Sequence, residues 1–398
     1  MLLIAAPGQG AQTPGFLAPW LELPGFADRL GAWSDLAGCD LIRCGTEADA
    51  EEIRDTAVAQ PLLVATAIAT LDQVVTGAHP VSHQSVAVAG HSVGELAAGV
   101  LAGVITADDA MSLVRIRARA MAEAAAAEPT GMIAVLGGDE ADVLAAIEDN
   151  GLTPANVNGA GQVVAAGTLP QLAALAENPP AGARLRPLSV AGAFHTRHMA
   201  SAVDALAAAA QNVHASDPTR PLLSNRDGAV VRSGKDWLDR IINQVSAPVR
   251  WDMCMQTMAS LGVTAIIELP PAGTLTGLAK RALRGVQLVA LKTPDDLDAA
   301  RALLAQHADS HSDSHAPEWR LLVAPLAGTF RAPDGHPNAA APGVTVGEGT
   351  DLGHVEMRGG SHTVAAAFPA TVIEWLVEDG DPVSAGQPLV RLQPQAAK

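Results

Sequence analysis

The chain is poor in cysteine. Cys39, Cys44 and Cys254 are scattered and odd in number, which excludes a disulfide framework. The Cys39/Cys44 spacing has no second pair to complete a zinc site, so no metal is expected. Reduced thiols in a cytoplasmic protein are the expectation. The chain is also poor in positive charge: 25 Lys and Arg against 42 Asp and Glu leave a formal net charge of −17. Nucleic acid and anionic membrane surfaces repel such a protein. An acidic protein partner would need a local basic patch, and Lys280, Arg281 and Arg284 form one such cluster. No apolar run is long and uninterrupted enough to cross a bilayer. The first eight residues lack the basic region of a signal peptide and read straight into a strand. What the chain does have is apolar content. It is 48% hydrophobic and only 17% charged, enough for a large core, and its 398 residues exceed one typical domain.

The sequence turns on Val86-Ala87-Val88-Ala89-Gly90-His91-Ser92-Val93-Gly94-Glu95-Leu96. An apolar β-branched run ends at glycine, a serine follows between small residues, and a helix former comes next. Strand, Gly-x-Ser-x-Gly, helix is the pattern of a nucleophile elbow. Glycine at 90 and 94 lets strand and helix pass close together, and the helix N-terminus aims unpaired N–H groups at the serine. A serine nucleophile needs a base, and twelve histidines are available. His91 adjoins Ser92, and neighbours on an elbow point apart. His195, in the small-residue turn Gly192-Ala193-Phe194-His195-Thr196, suits a catalytic loop, with His198 and His214 left open beside it.

Along the chain, Leu2–Ala6 reads as a buried strand and the glycine-rich loop 7–12 leads to a helix near Pro14. Helices are expected over 27–37, 48–54, 56–73, 95–102 and 107–127. Alternating strand and helix argue a parallel α/β sheet. From about Gly131 the order becomes strand, helix, two strands, helix, strand, a ferredoxin-like unit. Further strands at 222–225, 265–269 and 286–291 return to the larger domain, which ends near Leu303. The polar stretch 306–317 reads as a flexible tether. From Trp319 on, short strands between Pro and Gly turns predict an all-β unit.

Seven stretches occur together in order: Pro7-Gly8-Gln9-Gly10-Ala11-Gln12; Ala59-Gln60-Pro61; Gly90-His91-Ser92-Val93-Gly94-Glu95; Arg117 before Met121-Ala122-Glu123-Ala124; Asn156-Val157-Asn158; Gly192-Ala193-Phe194-His195-Thr196; and Gln244 ahead of Pro248-Val249-Arg250-Trp251. In this register residues 1–305 closely resemble the malonyl-CoA:acyl-carrier-protein transacylase family. The resemblance implies an α/β-hydrolase-like parallel-sheet core over 1–127 and 192–304; the ferredoxin-like subdomain is then an insertion at 128–191, and the polar stretch gives a linker at 305–318. It implies a Ser92 nucleophile, a His195 base oriented by a backbone carbonyl near Gln244, and an oxyanion hole from the N–H groups of Gln9 and Val93. Arg117 would hold the carboxylate of the malonyl group in preference to its neighbours Arg115 and Arg119. Phe194 would crowd an α-branched acyl chain, and Gln60, His91 and Asn158 would line the site. Malonyl-CoA and acyl carrier protein are the implied partners, with no cofactor and a monomeric core.

Residues 319–398 resemble a biotinyl/lipoyl carrier domain, through Ala324-Pro325-Leu326-Ala327-Gly328-Thr329 and Glu378-Asp379-Gly380-Asp381-Pro382-Val383. That family carries a modified lysine in a hairpin. The corresponding stretch here, Val355-Glu356-Met357-Arg358-Gly359-Gly360-Ser361, has none, and Lys398 is the one lysine after the linker. An unmodified domain serving docking, assembly or attachment is therefore expected. A transferase acting in malonate decarboxylation and a scaffold recruiting partners through this tail remain open alternatives.

Overall fold

The computed structural model describes residues 1–75, 85–190, 192–309, 320–333, 341–357 and 359–394. Two units divide the chain, Met1–Ser310 and His311–Lys398. The first begins with β1 (Leu2–Ala6), α1 (Phe26–Ala37), α2 (Leu41–Thr46), α3 (Thr56–Val75), β2 (Val86–Gly90), α4 (Gly94–Leu101) and α5 (Ala107–Ala127). There follow β3 (Thr130–Gly137), α6 (Glu140–Asp149), β4 (Thr153–Gly159), β5 (Gln162–Thr168), α7 (Leu169–Glu177) and β6 (Ala183–Pro187). The unit is completed by α8 (Ala200–Ala210), β7 (Leu222–Leu223), β8 (Val230–Val231), α9 (Gly234–Gln244), β9 (Val249–Arg250), α10 (Trp251–Ser260), β10 (Ala265–Glu268), α11 (Thr274–Ala282), β11 (Gln287–Ala290) and α12 (Leu297–Asp309).

Six strands form the central sheet in the order β11-β10-β1-β2-β7-β8. All neighbours run parallel except β8. A parallel sheet is covered on both faces, and β1 shows it residue by residue. Leu2, Ile4 and Ala6 join the apolar layer that includes residues of α3 and α5. Leu3 and Ala5 join the opposite layer with Trp251, Met255 and Met258 of α10 and Leu275 and Leu278 of α11. A second sheet, β6-β3-β5-β4-β9, is antiparallel in its first four strands, and β9 joins β4 in parallel.

Two sequence expectations need correction, and one boundary moves. The 20-residue α3 is long and apolar enough to cross a membrane, with a mean hydropathy of 1.5 over its best window. Most of that window (72%) is buried, and α3 packs along α5 and α1; its composition reflects a place in the core. The helix expected over 48–54 is only a 3₁₀ turn at Glu52–Arg54. Asp49 Oδ1 accepts from the N–H groups of Glu51 and Glu52, both at 2.9 Å, a local bond that competes with helix. The larger domain also continues past Leu303, since α12 runs to Asp309; residues 310–317 of the expected tether lie outside the described residues.

The second unit contains β12 (Arg320–Val323), β13 (Gly328–Arg331), β14 (Thr345–Val346), β15 (Asp351–Met357), β16 (Gly360–Ala365), β17 (Ala370–Trp375), β18 (Pro382–Val383) and β19 (Pro388–Pro394). They form two four-stranded sheets, β12-β19-β17-β14 and β16-β15-β13-β18. Leu352, Val372 and Leu392 fill one apolar cluster; Phe330, Val355 and Leu389 fill another. Strands β15 and β16 pair as a hairpin with Met357 opposite Gly360. Arg358 and Lys398 lie outside the described residues.

Candidate active site

The turn between β2 and α4 is shaped by close backbone approach. A Cβ on Gly90 would lie 2.0 Å from the Gly94 carbonyl carbon, and one on Gly94 would lie 2.4 Å from Ala6 O. Only glycine fits either place. Ser92 between them has φ +53°, a left-handed conformation costing roughly 1–2 kcal/mol for a non-glycine residue. Three bonds offset that strain. Ser92 N donates to Asn225 Oδ1 at 2.7 Å, Gly94 N to His91 O at 3.0 Å, and Glu95 N to Ser92 O at 3.0 Å.

His195 approaches from the loop before α8, also with positive φ (+62°). Its N–H donates to Val245 O at 3.0 Å, which anchors that loop to the end of α9. The imidazole lies between Gln244 O, 2.9 Å from Nδ1, and Ser92 Oγ, 2.8 Å from Nε2. A carbonyl only accepts, so Nδ1 carries the proton and Nε2 is free to receive one from the serine. Burial, and then the positive charge of Arg117, push the His195 pKa down to about 3, so the ring is neutral near neutral pH. The rival histidines lie elsewhere. His91 Nε2 bonds Asn158 Oδ1 at 2.9 Å and its ring packs 5.5 Å from Trp251. His198 bonds Glu128 at 2.8 Å, and His214 is exposed.

Arg117, from the middle of α5, is 1% exposed. Nη1 donates to Gln60 Oε1 at 2.5 Å, and Nη2 to Gln244 Oε1 at 2.7 Å and Ser92 Oγ at 3.3 Å. Burial lowers its pKa to about 10, still well protonated at neutral pH. Both amide partners are neutral, and no carboxylate touches the guanidinium among the described residues. This is a fixed buried cation beside the Ser92 hydroxyl, with no acceptor for the remaining Nη1 hydrogen among the described residues. The rival arginines differ: Arg119 is exposed, and Arg115 lies half-buried against Gly38.

Val93 heads α4, and neither its N–H nor that of Gln9 has an acceptor among the described residues. The Gln9 side chain is tied to Arg54 O at 3.1 Å and Thr56 Oγ1 at 3.4 Å. Phe194 lines a cleft of about 590 Å³ with Arg54, Thr56, Ala122, Ala125 and Val190. Gln60 and Asn158 are buried, the first on Arg117 and the second on His91. Lys280 and Arg281 occupy the last turn of α11 and are exposed, as is Arg284.

Two buried residues, Glu95 and Asn225, escape the sequence reading. Glu95 Oε1 accepts from Asn225 N at 2.9 Å, and Oε2 accepts from Gln244 Nε2. Asn225 Nδ2 donates to Gly90 O at 2.8 Å. Glu95 reads as an ordinary helix former and Asn225 as a strand residue. The sequence signal for Glu95 is an acidic residue in an otherwise apolar, buried first turn, 94–98.

Residues 6–315 match the family model described as acyl transferase domain. A malonyl CoA-acyl carrier protein transacylase of Mycobacterium bovis is 56% identical over 298 residues, covering 75% of this chain and 98% of that protein. The crystal structure of MCAT from Mycobacterium tuberculosis superposes with a TM-score of 0.72 at 55% identity, covering 76% of this chain and 99% of that one. A chain from the structure of a type II PKS acyl-carrier protein in complex with its malonyl-transacylase is also similar, with a TM-score of 0.70 at 29% identity over 76% of this chain and 99% of that one. On the extent and closeness of these matches, the chain belongs to the acyl transferase family and, within it, to the malonyl-CoA:acyl-carrier-protein transacylases.

Proposed function

We propose that this protein transfers the malonyl group of malonyl-CoA, through an ester on Ser92, to the phosphopantetheine thiol of acyl carrier protein, supplying extender units for fatty acid synthesis. The observation that carries this reading is the setting of Ser92 Oγ, which lies 2.8 Å from a neutral imidazole nitrogen and 3.3 Å from a buried guanidinium. Ser92 Oγ attacks the thioester carbonyl carbon while its proton passes to His195 Nε2. The oxyanion is held by the N–H groups of Val93 and Gln9, neither of which has an acceptor among the described residues. The C–S bond breaks and the proton goes from His195 to the departing thiolate. In the second half the carrier thiol gives its proton to His195, its sulfur attacks the ester, and Ser92 Oγ leaves with that proton.

Arg117 holds the malonyl carboxylate by charge-assisted hydrogen bonds, and Phe194 leaves little room for an α-branch. Gln244 supplies the carbonyl that orients His195 and, with Gln60, the amide oxygens that hold Arg117. His91 and Asn158 support the wall beneath the turn. The core is read as an α/β-hydrolase-like sheet over 1–127 and 192–304, acting as a cytoplasmic monomer, with a ferredoxin-like insertion at 128–191. Supporting the insertion are the strand-helix-strand-strand-helix-strand order and the antiparallel arrangement β6-β3-β5-β4. Labelled malonyl-CoA should leave label on the protein, and acyl carrier protein should then remove it. A chain that takes up no label, or keeps it in the presence of the carrier, refutes the reading.

Residues 319–398 are read as a biotinyl/lipoyl-like domain without its modification. The two four-stranded sheets and the β15–β16 hairpin support the fold, and the lysine-free hairpin supports the lack of modification. The intact mass of the chain, expressed with biotin- and lipoate-attaching enzymes present, should equal that of the bare polypeptide. An added biotinyl or lipoyl group overturns this.

A further inference from the structure

Among the described residues, Glu95 is the one carboxylate built into the buried network beneath Ser92. It lies on the first turn of α4, is 2% exposed, and takes no part in the steps above. One oxygen accepts from Asn225 N at 2.9 Å and the other from Gln244 Nε2. The same Gln244 nitrogen donates to Ser92 O at 3.0 Å. Both amide hydrogens of Gln244 are thus spoken for on one side, which leaves Oε1 turned towards Arg117 Nη2 at 2.7 Å. The reverse orientation sets an NH₂ against a guanidinium and an oxygen against a carboxylate and a carbonyl, three unfavourable contacts in a buried place.

We propose that Glu95 is a positioning residue for acyl-group selection: its carboxylate fixes the orientation of the Gln244 amide, and that amide holds the Arg117 guanidinium where a malonyl carboxylate binds. The inference rests on the transferase reading above and deepens it. Glu95 is also the acidic counter-charge to Arg117, separated from it by one glutamine side chain. The hydrogen bond from His195 Nδ1 to Gln244 O is a main-chain contact, so the imidazole keeps its orientation whichever way the side-chain amide turns.

The ionisable groups around Glu95 are few. Arg117 on α5 and Arg240 on α9 favour its charged form, as do its bonds to Asn225 and Gln244, while burial opposes it and dominates, raising its pKa to about 7. The Cys254 thiol on α10 is itself raised well above its usual range and stays neutral. Above pH 7 Glu95 is ionised and the network stands as described. As pH falls through about 7, a carboxylic O–H replaces an acceptor opposite Gln244 Nε2, two donors meet, and the amide loses its reason to face Arg117. His195 near 3 and Arg117 near 10 titrate outside this window.

The test uses the full chain and Glu95→Gln, which keeps shape and removes charge. The rates of loading Ser92 from malonyl-CoA and from acetyl-CoA are measured across the neutral pH range. Glu95→Gln should lower malonyl loading about 10- to 100-fold, the scale on which a supporting residue acts, while acetyl loading changes about twofold or less. The malonyl-to-acetyl ratio of the unsubstituted protein should fall as pH drops through 7, and that of Glu95→Gln should be flat. A variant that loads malonyl with the original ratio at every pH overturns the proposal. If Glu95→Gln does not fold, as thermal unfolding reveals, the pH dependence of the ratio in the unsubstituted protein decides alone, and a flat ratio overturns it. Failure of the unsubstituted protein to load malonyl at all overturns the transferase reading instead, and this proposal with it.

Discussion

Ser92→Ala abolishes the malonyl-enzyme and lowers transfer by about 10⁴- to 10⁶-fold, the scale seen when a nucleophile is removed from a unit that acts together. The size of the effect follows from how the serine is built in. Its hydroxyl touches two groups, His195 Nε2 and Arg117 Nη2, and both become idle without it. Water cannot stand in for the serine efficiently, because the strained φ of +53° aims a tethered oxygen at one spot, an advantage that a diffusing nucleophile lacks. Stability should barely change: alanine meets the same backbone strain, and the Ser92 N–H to Asn225 bond is retained. Acid-quenched protein examined by mass spectrometry after exposure to malonyl-CoA checks the ester, and a coupled thiol-release assay checks the rate. A variant that retains either ester or turnover removes Ser92 from the mechanism.

The sequence shows the parts of this site that depend on local chemistry. The glycines at 90 and 94 announce the tight turn, and the backbone contacts that a Cβ would make there are the reason. The alternation of strands and helices announces a parallel sheet. The base is another matter. Residue type and loop texture leave His195 open beside His198 and His214, and the family resemblance selects it. In the fold His195 stands apart from those two because it faces both Ser92 and a main-chain carbonyl at the end of α9, 49 positions later in the chain. Glu95 and Asn225 are hidden for the same reason. Their partners are 149 and 133 residues away in sequence, so nothing in their own surroundings distinguishes them from a helix former and a strand end. The missed 3₁₀ turn at Glu52–Arg54 is the opposite case, in which a single Asp49 side chain overrode a helix-like composition.

Arg117→Ala converts a malonyl-selective enzyme into one that discriminates little. Its guanidinium is buried, charged and held by two neutral amide oxygens, so an arriving carboxylate supplies the missing counter-charge. Breaking such a buried pair costs about 3–5 kcal/mol, which corresponds to roughly a 10²- to 10⁴-fold loss of malonyl transfer. Acetyl transfer has no carboxylate to lose, and a second effect favours it. Arg117 is one of the causes holding the His195 pKa near 3; removing that charge raises the pKa and makes the imidazole a stronger base. The same logic applies to the unsubstituted protein. A bound malonyl carboxylate partly neutralises Arg117 and relieves its pressure on His195, so the base strengthens when the correct acyl group is present. Acetyl transfer by Arg117→Ala should therefore equal or exceed that of the unsubstituted protein, measured as kcat/KM for both thioesters at fixed pH. Equal proportional losses for malonyl and acetyl would mean that Arg117 supports the serine or the fold and does not select the acyl group.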